Sequence, residues 1–258
     1  FDVKDLTANG DASPIAKLIE SFVAPHTWKS NGGKGTIEVQ GGSLHIDQSL
    51  AVRREVLIFC ERLRLARNRP LRSKYPADLL SIASPNQKLV TTLGKSTTFT
   101  FLPWTRLTDV LAQWQQLAGI TVLVDWSALA DVNLRPSSTV ACSTINRPWE
   151  EALDGILEPL GLTWWAVDAQ TIQITTSDAL DRIERVEFYP IPKKLREEAA
   201  SDDALIDSLQ KQIEARSNKH GKSTAAHIEL DQPSGQLIVR ANPDTQRFLS
   251  ALLNTSTN

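Results

Sequence analysis

Methionine is absent from all 258 positions, the first included. A translated chain normally begins with one, so this sequence is expected to be an interior piece or a processed product of something longer. Any targeting signal would then lie outside it. Cysteine is nearly absent too. Cys60 and Cys142 are too few for a disulfide framework. Cys60 falls on the apolar side of a helical pattern and Cys142 in a strand pattern, so both are expected as buried free thiols. A cytoplasmic and an exported home suit that count equally. No apolar run approaches the roughly 18 residues of a membrane-spanning helix. A net charge of -2 gives no bulk attraction to nucleic acid or to an anionic membrane. What remains is ordinary for a globular protein, at 41% hydrophobic and 22% charged. The length allows one large domain or two to three small ones.

Catalytic patterns are missing as well. The four histidines are His26, His45, His220 and His227. His45 alternates with Leu44 and Ile46, so it should point out from a strand. No cysteine or carboxylate stands at a compact metal spacing from any of them. Gly221-Lys222-Ser223 and Gly94-Lys95-Ser96 look like ends of phosphate loops. The full motif needs a glycine five residues earlier, where Arg216 and Leu89 stand, so both are read as plain loops. Glu150, Glu151, Asp154 and Glu158 flank one helical stripe, and Glu150 and Glu151 suit the positive end of its dipole. Acid–base work would need carboxylates held across a cleft. The expectation is a protein with no enzymatic activity, no metal and no cofactor.

The clearest pattern present is residues 146–175. Trp149, Ala152, Leu153, Ile156, Leu157 and Leu160 mark one face of an amphipathic helix. Asn146 and Pro148 suit its start and Gly161 its stop. Residues 163–167 and 171–175 then alternate around Asp168-Ala169-Gln170, a hairpin. Upstream, 98–102 reads as a strand. Leu107, Val110, Leu111, Trp114, Leu117 and Ala118 give a helix, and 120–125 and 138–143 give two further strands. This middle segment reads β-α-β-β-α-β-β.

Both flanks read β-α-β-β-α. On the first, 1–6 is a strand, and Ser13-Pro14 opens a helix through Ile15, Leu18, Ile19 and Phe22. Residues 37–39 and 44–46 make a hairpin about Gly41-Gly42. Val52, Val56, Phe59, Cys60 and Leu63 stripe a second helix. On the last, 186–191 is a strand and 201–216 a helix. His227 to Leu230 and Gln236 to Arg240 form a hairpin, and Asn242-Pro243 opens a helix through Leu249 and Leu252. Placing Leu44 on Leu237 carries Ile46 to Val239, Val56 to Leu249 and Phe59 to Leu252, an internal repeat of pattern. Ile37 falls on Ile228 if the later turn is two residues longer. Residues 67–96, with four basic side chains beside Pro70 and Pro76, read as a linker with a short helix at 77–82. The fold class is α+β. The modules are 1–66, 97–177 and 183–256, each a small sheet with helices on one face.

The middle segment resembles the short N-terminal domain of secretins and TonB-dependent receptors. The resemblance rests on TFTF at 98–101, LAGI at 117–120, TVLVD at 121–125 and the run from Pro148 to Thr175. Ala152, Leu153, Leu157, Gly161, Leu162, Thr163, Trp164, Asp168, Thr171, Ile172 and Ile174 stand where that family has its recurrent signature. The outer segments resemble the KH-like N-terminal modules of secretins. The resemblance implies a protein–protein interaction or assembly role in the bacterial cell envelope, in the periplasm, with a protein partner or self-assembly and no catalysis. The module order departs from the family, whose short domain usually comes first.

Two sets of contact residues follow. Trp164 and Trp165 are adjacent in a strand and face opposite sides. One can be core and the other is a candidate protein contact. The alternative is KH-like nucleic-acid binding through the basic tract 53–74. Its candidates are Lys34 in the Gly32-Gly33-Lys34-Gly35 loop, with Arg53, Arg54, Arg62, Arg64, Arg67 and Arg69.

Overall fold

The computed structural model describes residues 1–7, 9–219 and 226–255. His220 and the 221–223 loop lie outside the described residues. The fold is α+β, with helices packed on four small sheets. A 3-10 turn (Lys4–Leu6) leads to α1 (Ser13–Phe22), the hairpin β1 (Thr36–Gln40) and β2 (Ser43–Asp47), and α2 (Leu50–Ala66). Short helices α3 (Ala77–Leu80) and α4 (Pro85–Leu93) follow. Next come β3 (Ser96–Arg106), α5 (Leu107–Ala118), β4 (Thr121–Val124), α6 (Trp126–Asp131), β5 (Thr139–Pro148) and α7 (Trp149–Leu157). β6 (Leu162–Ala166), β7 (Thr171–Thr176) and α8 (Ser177–Leu180) complete that part. The chain then gives β8 (Arg185–Pro190), α9 (Lys193–Glu198), α10 (Asp202–Lys219), β9 (His227–Asp231), β10 (Gln236–Ala241) and α11 (Pro243–Thr255).

Contacts divide the chain into two compact units, 1–83 with 186–241, and 84–185 with 242–255. In the first unit β1 and β2 form a two-stranded sheet, and β8, β10 and β9 a three-stranded one in that order. Ile37 pairs with Ile46 and Val39 with Leu44. In the other hairpin Ile228 pairs with Val239 and Leu230 with Leu237. The residues aligned by pattern, Leu44 with Leu237 and Ile46 with Val239, therefore occupy matching rungs. Ile15, Ile19 and Phe22 of α1 and Val56, Phe59, Cys60 and Leu63 of α2 build the core with Trp28, Leu44, Phe188 and Ile238. Trp28 is wholly buried, and its indole N–H donates to the Val23 carbonyl at 2.7 Å.

Residues 1–6 are not a strand. Only Asp2 bridges to Ser43, and Lys4–Leu6 turns. The reason is spacing: Val3 and Leu6 are the buried pair, three apart, which a helical turn satisfies and an alternating strand does not. The turn crosses the β1–β2 hairpin closely. A Cβ on Gly42 would come within 2.5 Å of Lys4 Cγ, so that position needs a glycine.

Two carboxylates of this unit meet basic side chains. Burial works to raise the Asp5 carboxyl, but the Arg64 hydrogen bond and charge override it, and the net shift is downward. The His227 hydrogen bond lowers Glu229. Both groups bind protons less readily when folded than when unfolded. Their stabilisation is therefore present above the ordinary values of 3.8 and 4.5 and is lost as pH falls through the lower folded values. Thermal melts are expected to fall progressively below pH 4.5, and Asp5→Asn is expected to flatten part of that dependence.

In the second unit β4 runs parallel to β7, Val122 beside Ile172, and β6 runs antiparallel to β7, Trp164 beside Ile174. β3 and β5 form a separate two-stranded ribbon. Helix α5 packs against β3 and β4, and α7 against β5 and β6. Each helix thus lies on both sheets, and its apolar stripe fills the space between them. Of the stripes read from sequence, Leu107, Val110, Leu111 and Trp114, and Trp149, Ala152, Leu153 and Leu157, are buried, and Ala118, Ile156 and Leu160 are partly so, whereas Leu117, at the last turn of α5, is exposed. Helix α7 starts at Trp149, later than Asn146. Residues 146–148 continue β5, and Asn146 turns left-handed (φ 49°) with its N–H on Thr98 Oγ1. Asparagine tolerates that conformation better than most side chains. Within the stretch read as linker, Pro85 opens α4, whose Leu89 and Leu93 join this core. Helix α6 goes unread because Asp125 looks like the end of a strand, yet its carboxylate caps the next helix by accepting the Ala128 N–H.

Candidate interaction surface

Trp164 and Trp165 do face opposite sides of β6. Trp164 is 3% exposed. Its indole N–H donates to Asp154 Oδ1 at 2.8 Å, and the Arg247 guanidinium sits 4.7 Å from the ring centre. Arg247 also pairs with Asp154 at 3.2 Å, which closes a three-residue set. Trp165 is half-buried. Its N–H donates to Gln173 Oε1 at 3.0 Å, and Arg185 lies 5.1 Å above its ring. Trp164 therefore offers no open surface, and Trp165 offers part of one face.

The open surface lies on the β3–β5 ribbon. Its inner side carries Phe99, Phe101, Val140 and Thr144, all buried. Alternation sends the neighbours outward. Trp104 is 72% exposed, Ile145 76% and Leu102 51%. Two irregularities of register interrupt the pairing beside them. Phe101 pairs with Cys142 and Thr105 with Val140, so Leu102, Pro103 and Trp104 face Ala141 alone. On the other strand Ile145 and Asn146 face Thr98 between the Thr97 and Phe99 rungs. Bulges of this kind re-aim side chains and stop further pairing. The reading from sequence ended the first strand at Leu102 and the second at Ser143, so it missed this surface. The available signal was the apolar Leu102-Pro103-Trp104 directly after a strand that had already spent its inward phenylalanines.

The basic tract does not form one free face. Arg62 donates to the Ser81 carbonyl (2.9 Å) and the Val186 carbonyl (2.7 Å) and lies 5.6 Å from the Phe188 ring. Arg64 is 4% exposed and holds Asp5 at 2.8 Å and Glu61 at 2.9 Å. Arg67 grips Asp231 and donates to the Leu6 carbonyl. Arg72 pairs with Asp2 and Asp5. Lys34, Arg53, Arg54 and Arg69 remain exposed. In the glycine loop the Gly32, Gly33 and Gly35 amides donate to carbonyls of Lys29, Trp28 and Thr27. A phosphate clamp would need such amides turned outward. A Cβ on Gly33 would meet the Thr27 backbone at 2.2 Å, so that glycine serves a close backbone crossing.

The titratable residues follow the same trend. Burial pushes the Cys60 thiol up to about 12 and the half-buried Cys142 thiol up to about 11, far from thiolates at neutral pH. His45 is exposed across from Glu38, as its alternation requires. His227 Nε2 meets Glu229 Oε1 at 2.7 Å beside the Phe22 ring.

No helix among the described residues is long and apolar enough to cross a membrane. No protein-family model and no curated protein matches the chain. Among solved structures the chain is weakly similar to the crystal structure of the enterotoxigenic Escherichia coli GspC-GspD complex from the type II secretion system. That match has 12% identity and a TM-score of 0.23, over 62% of this chain and 97% of the other.

Proposed function

We propose that this chain is a non-enzymatic protein-interaction module of the bacterial cell envelope, working in the periplasm like the secretin and TonB-dependent receptor domains it resembles. One observation carries the reading: an exposed ribbon whose outer side holds Trp104, Leu102 and Ile145. A tryptophan and two aliphatic side chains on adjoining strands are the kind of anchors that protein interfaces concentrate. Single exposed apolar residues are common, whereas several on one face point to a contact site; Leu102 and Trp104 stand toward one end of the ribbon and Ile145 toward the other. Nucleic-acid binding is the poorer account, because Arg62, Arg64 and Arg67 are occupied internally. The division into segments 1–66, 97–177 and 183–256 stays part of the proposal, resting on the repeated hairpins.

A photoreactive residue placed at position 104 tests the reading in the bacterial envelope. Discrete cross-linked protein adducts are expected on irradiation, with none from the same residue at exposed Glu151 on α7. Absence of any adduct from 104 and from 145 would sink it.

A further inference from the structure

We propose that the outer face of the β3–β5 ribbon receives a second copy of this chain, through the same face related by a two-fold axis. This rests on the interaction reading and names its partner. The argument starts from charge. In a chain that is 22% charged, β3 and β5 hold no Asp, Glu or Lys, and their two arginines, Arg106 and Arg147, stand at or next to the strand ends. The outward residues are Thr98, Thr100, Leu102 and Trp104 on one strand, and Ala141, Ser143 and Ile145 on the other, all exposed. A partner recognised by charge finds nothing to answer it along the middle of this face. A face of hydroxyls and apolar side chains is matched by another of the same kind, and a two-fold contact supplies one automatically.

The ribbon edges support the same conclusion. A two-stranded ribbon has an open side on each strand. Sheets normally guard such sides with lysines, inward charges or prolines. Here Pro103 is the one proline within β3, and the remaining guards, Arg106 on β3 and Arg147 and Pro148 on β5, sit at the strand ends.

Area sets the strength. Ten residues at about 3.3 Å each and two strands about 4.8 Å apart give a face of about 300 Å². A stable complex buries about 800 Å² on each partner. The second copy should therefore exchange, associating between roughly 10 µM and 1 mM.

Sedimentation equilibrium over that range is the test. The chain's apparent mass is expected to rise toward twice the monomer. Trp104→Glu and, on the other strand, Ile145→Lys should each remain monomeric throughout. Leu117→Glu, an exposed α5 position off the ribbon, should associate as the parent does. Far-UV circular dichroism checks that each variant folds, and Ile145→Lys decides the matter should Trp104→Glu unfold. A parent chain monomeric at the highest concentration overturns the proposal, as does association unchanged in both ribbon variants. Should such a monomer still cross-link from position 104 to a protein of another mass, the second copy is excluded while the interaction reading stands. Cross-links of twice the chain mass support both.

Discussion

Replacing Arg67 with alanine should destabilise the first unit by about 3–5 kcal/mol. Arg67 looked like part of a nucleic-acid tract, yet its side chain is 8% exposed and its partner Asp231 is 2% exposed. The guanidinium reaches Asp231 from the end of α2 and also donates to the Leu6 carbonyl. It therefore joins the opening turn, the α2 terminus and the β9–β10 hairpin. With arginine removed, the Asp231 carboxylate stays buried and keeps, among the described residues, the Ser234 amide as its donor. That is the costly case, a buried charge left without its counterion. Replacing both partners with apolar residues of similar size, Arg67→Met with Asp231→Leu, should recover most of the loss, because the desolvation cost disappears along with the pairing. Urea unfolding of the two single variants and the double variant measures this. A loss in Arg67→Ala near that of an exposed variant such as Arg53→Ala would show that the pair contributes little.

The arginine case shows what the sequence could and could not reveal. Helical stripes and hairpins were legible, because a period of 3.6 or 2 is imposed by burial on one side. Val56, Phe59 and Leu63 fell where expected, and so did the β6–β7 and β9–β10 hairpins. Leu44 and Leu237, aligned by pattern, occupy equal rungs of their hairpins. Long-range electrostatics were not. Arg64 and Arg67 lie 59 and 164 residues from Asp5 and Asp231, and no local pattern joins such residues. A run of arginines on a helix reads alike whether it faces solvent or faces carboxylates from elsewhere in the fold. Nor were the bulges legible. Leu102, Trp104 and Ile145 point outward by the alternation that buries Phe101 and Thr144, but the strands were read as ending at Leu102 and Ser143, and how far they run past the shifts depends on which strand pairs with which. The parallel pairing of β4 with β7 was hidden for the same reason. The tryptophan pair was half legible: opposite faces followed from alternation, but which face was covered depended on Asp154, Arg247 and Arg185.

Trp164 carries the second large expectation. Trp164→Ala should cost about 3–5 kcal/mol, the usual range for emptying a large buried aromatic site. The ring is 3% exposed within a core that includes Trp149, Leu153, Leu162 and Ile174. Alanine would also leave Asp154 without its indole donor and Arg247 without the ring beneath it. Trp164→Phe keeps most of the packing and removes one hydrogen bond, so its expected loss is about 1 kcal/mol. Trp165→Ala should also cost about 1 kcal/mol, since its ring is half-buried and its Arg185 contact is of the exposed cation–π kind. The ordering separates two roles for neighbouring tryptophans. A binding anchor loses affinity on truncation while the free chain keeps its stability. A core residue loses stability first. Thermal unfolding combined with cross-linking from position 104 reads both quantities. Trp164→Ala is expected to lower the melting temperature sharply, and below that temperature to leave the ribbon's cross-link intact. A variant that kept its melting temperature and lost the cross-link would instead place Trp164 in the interface.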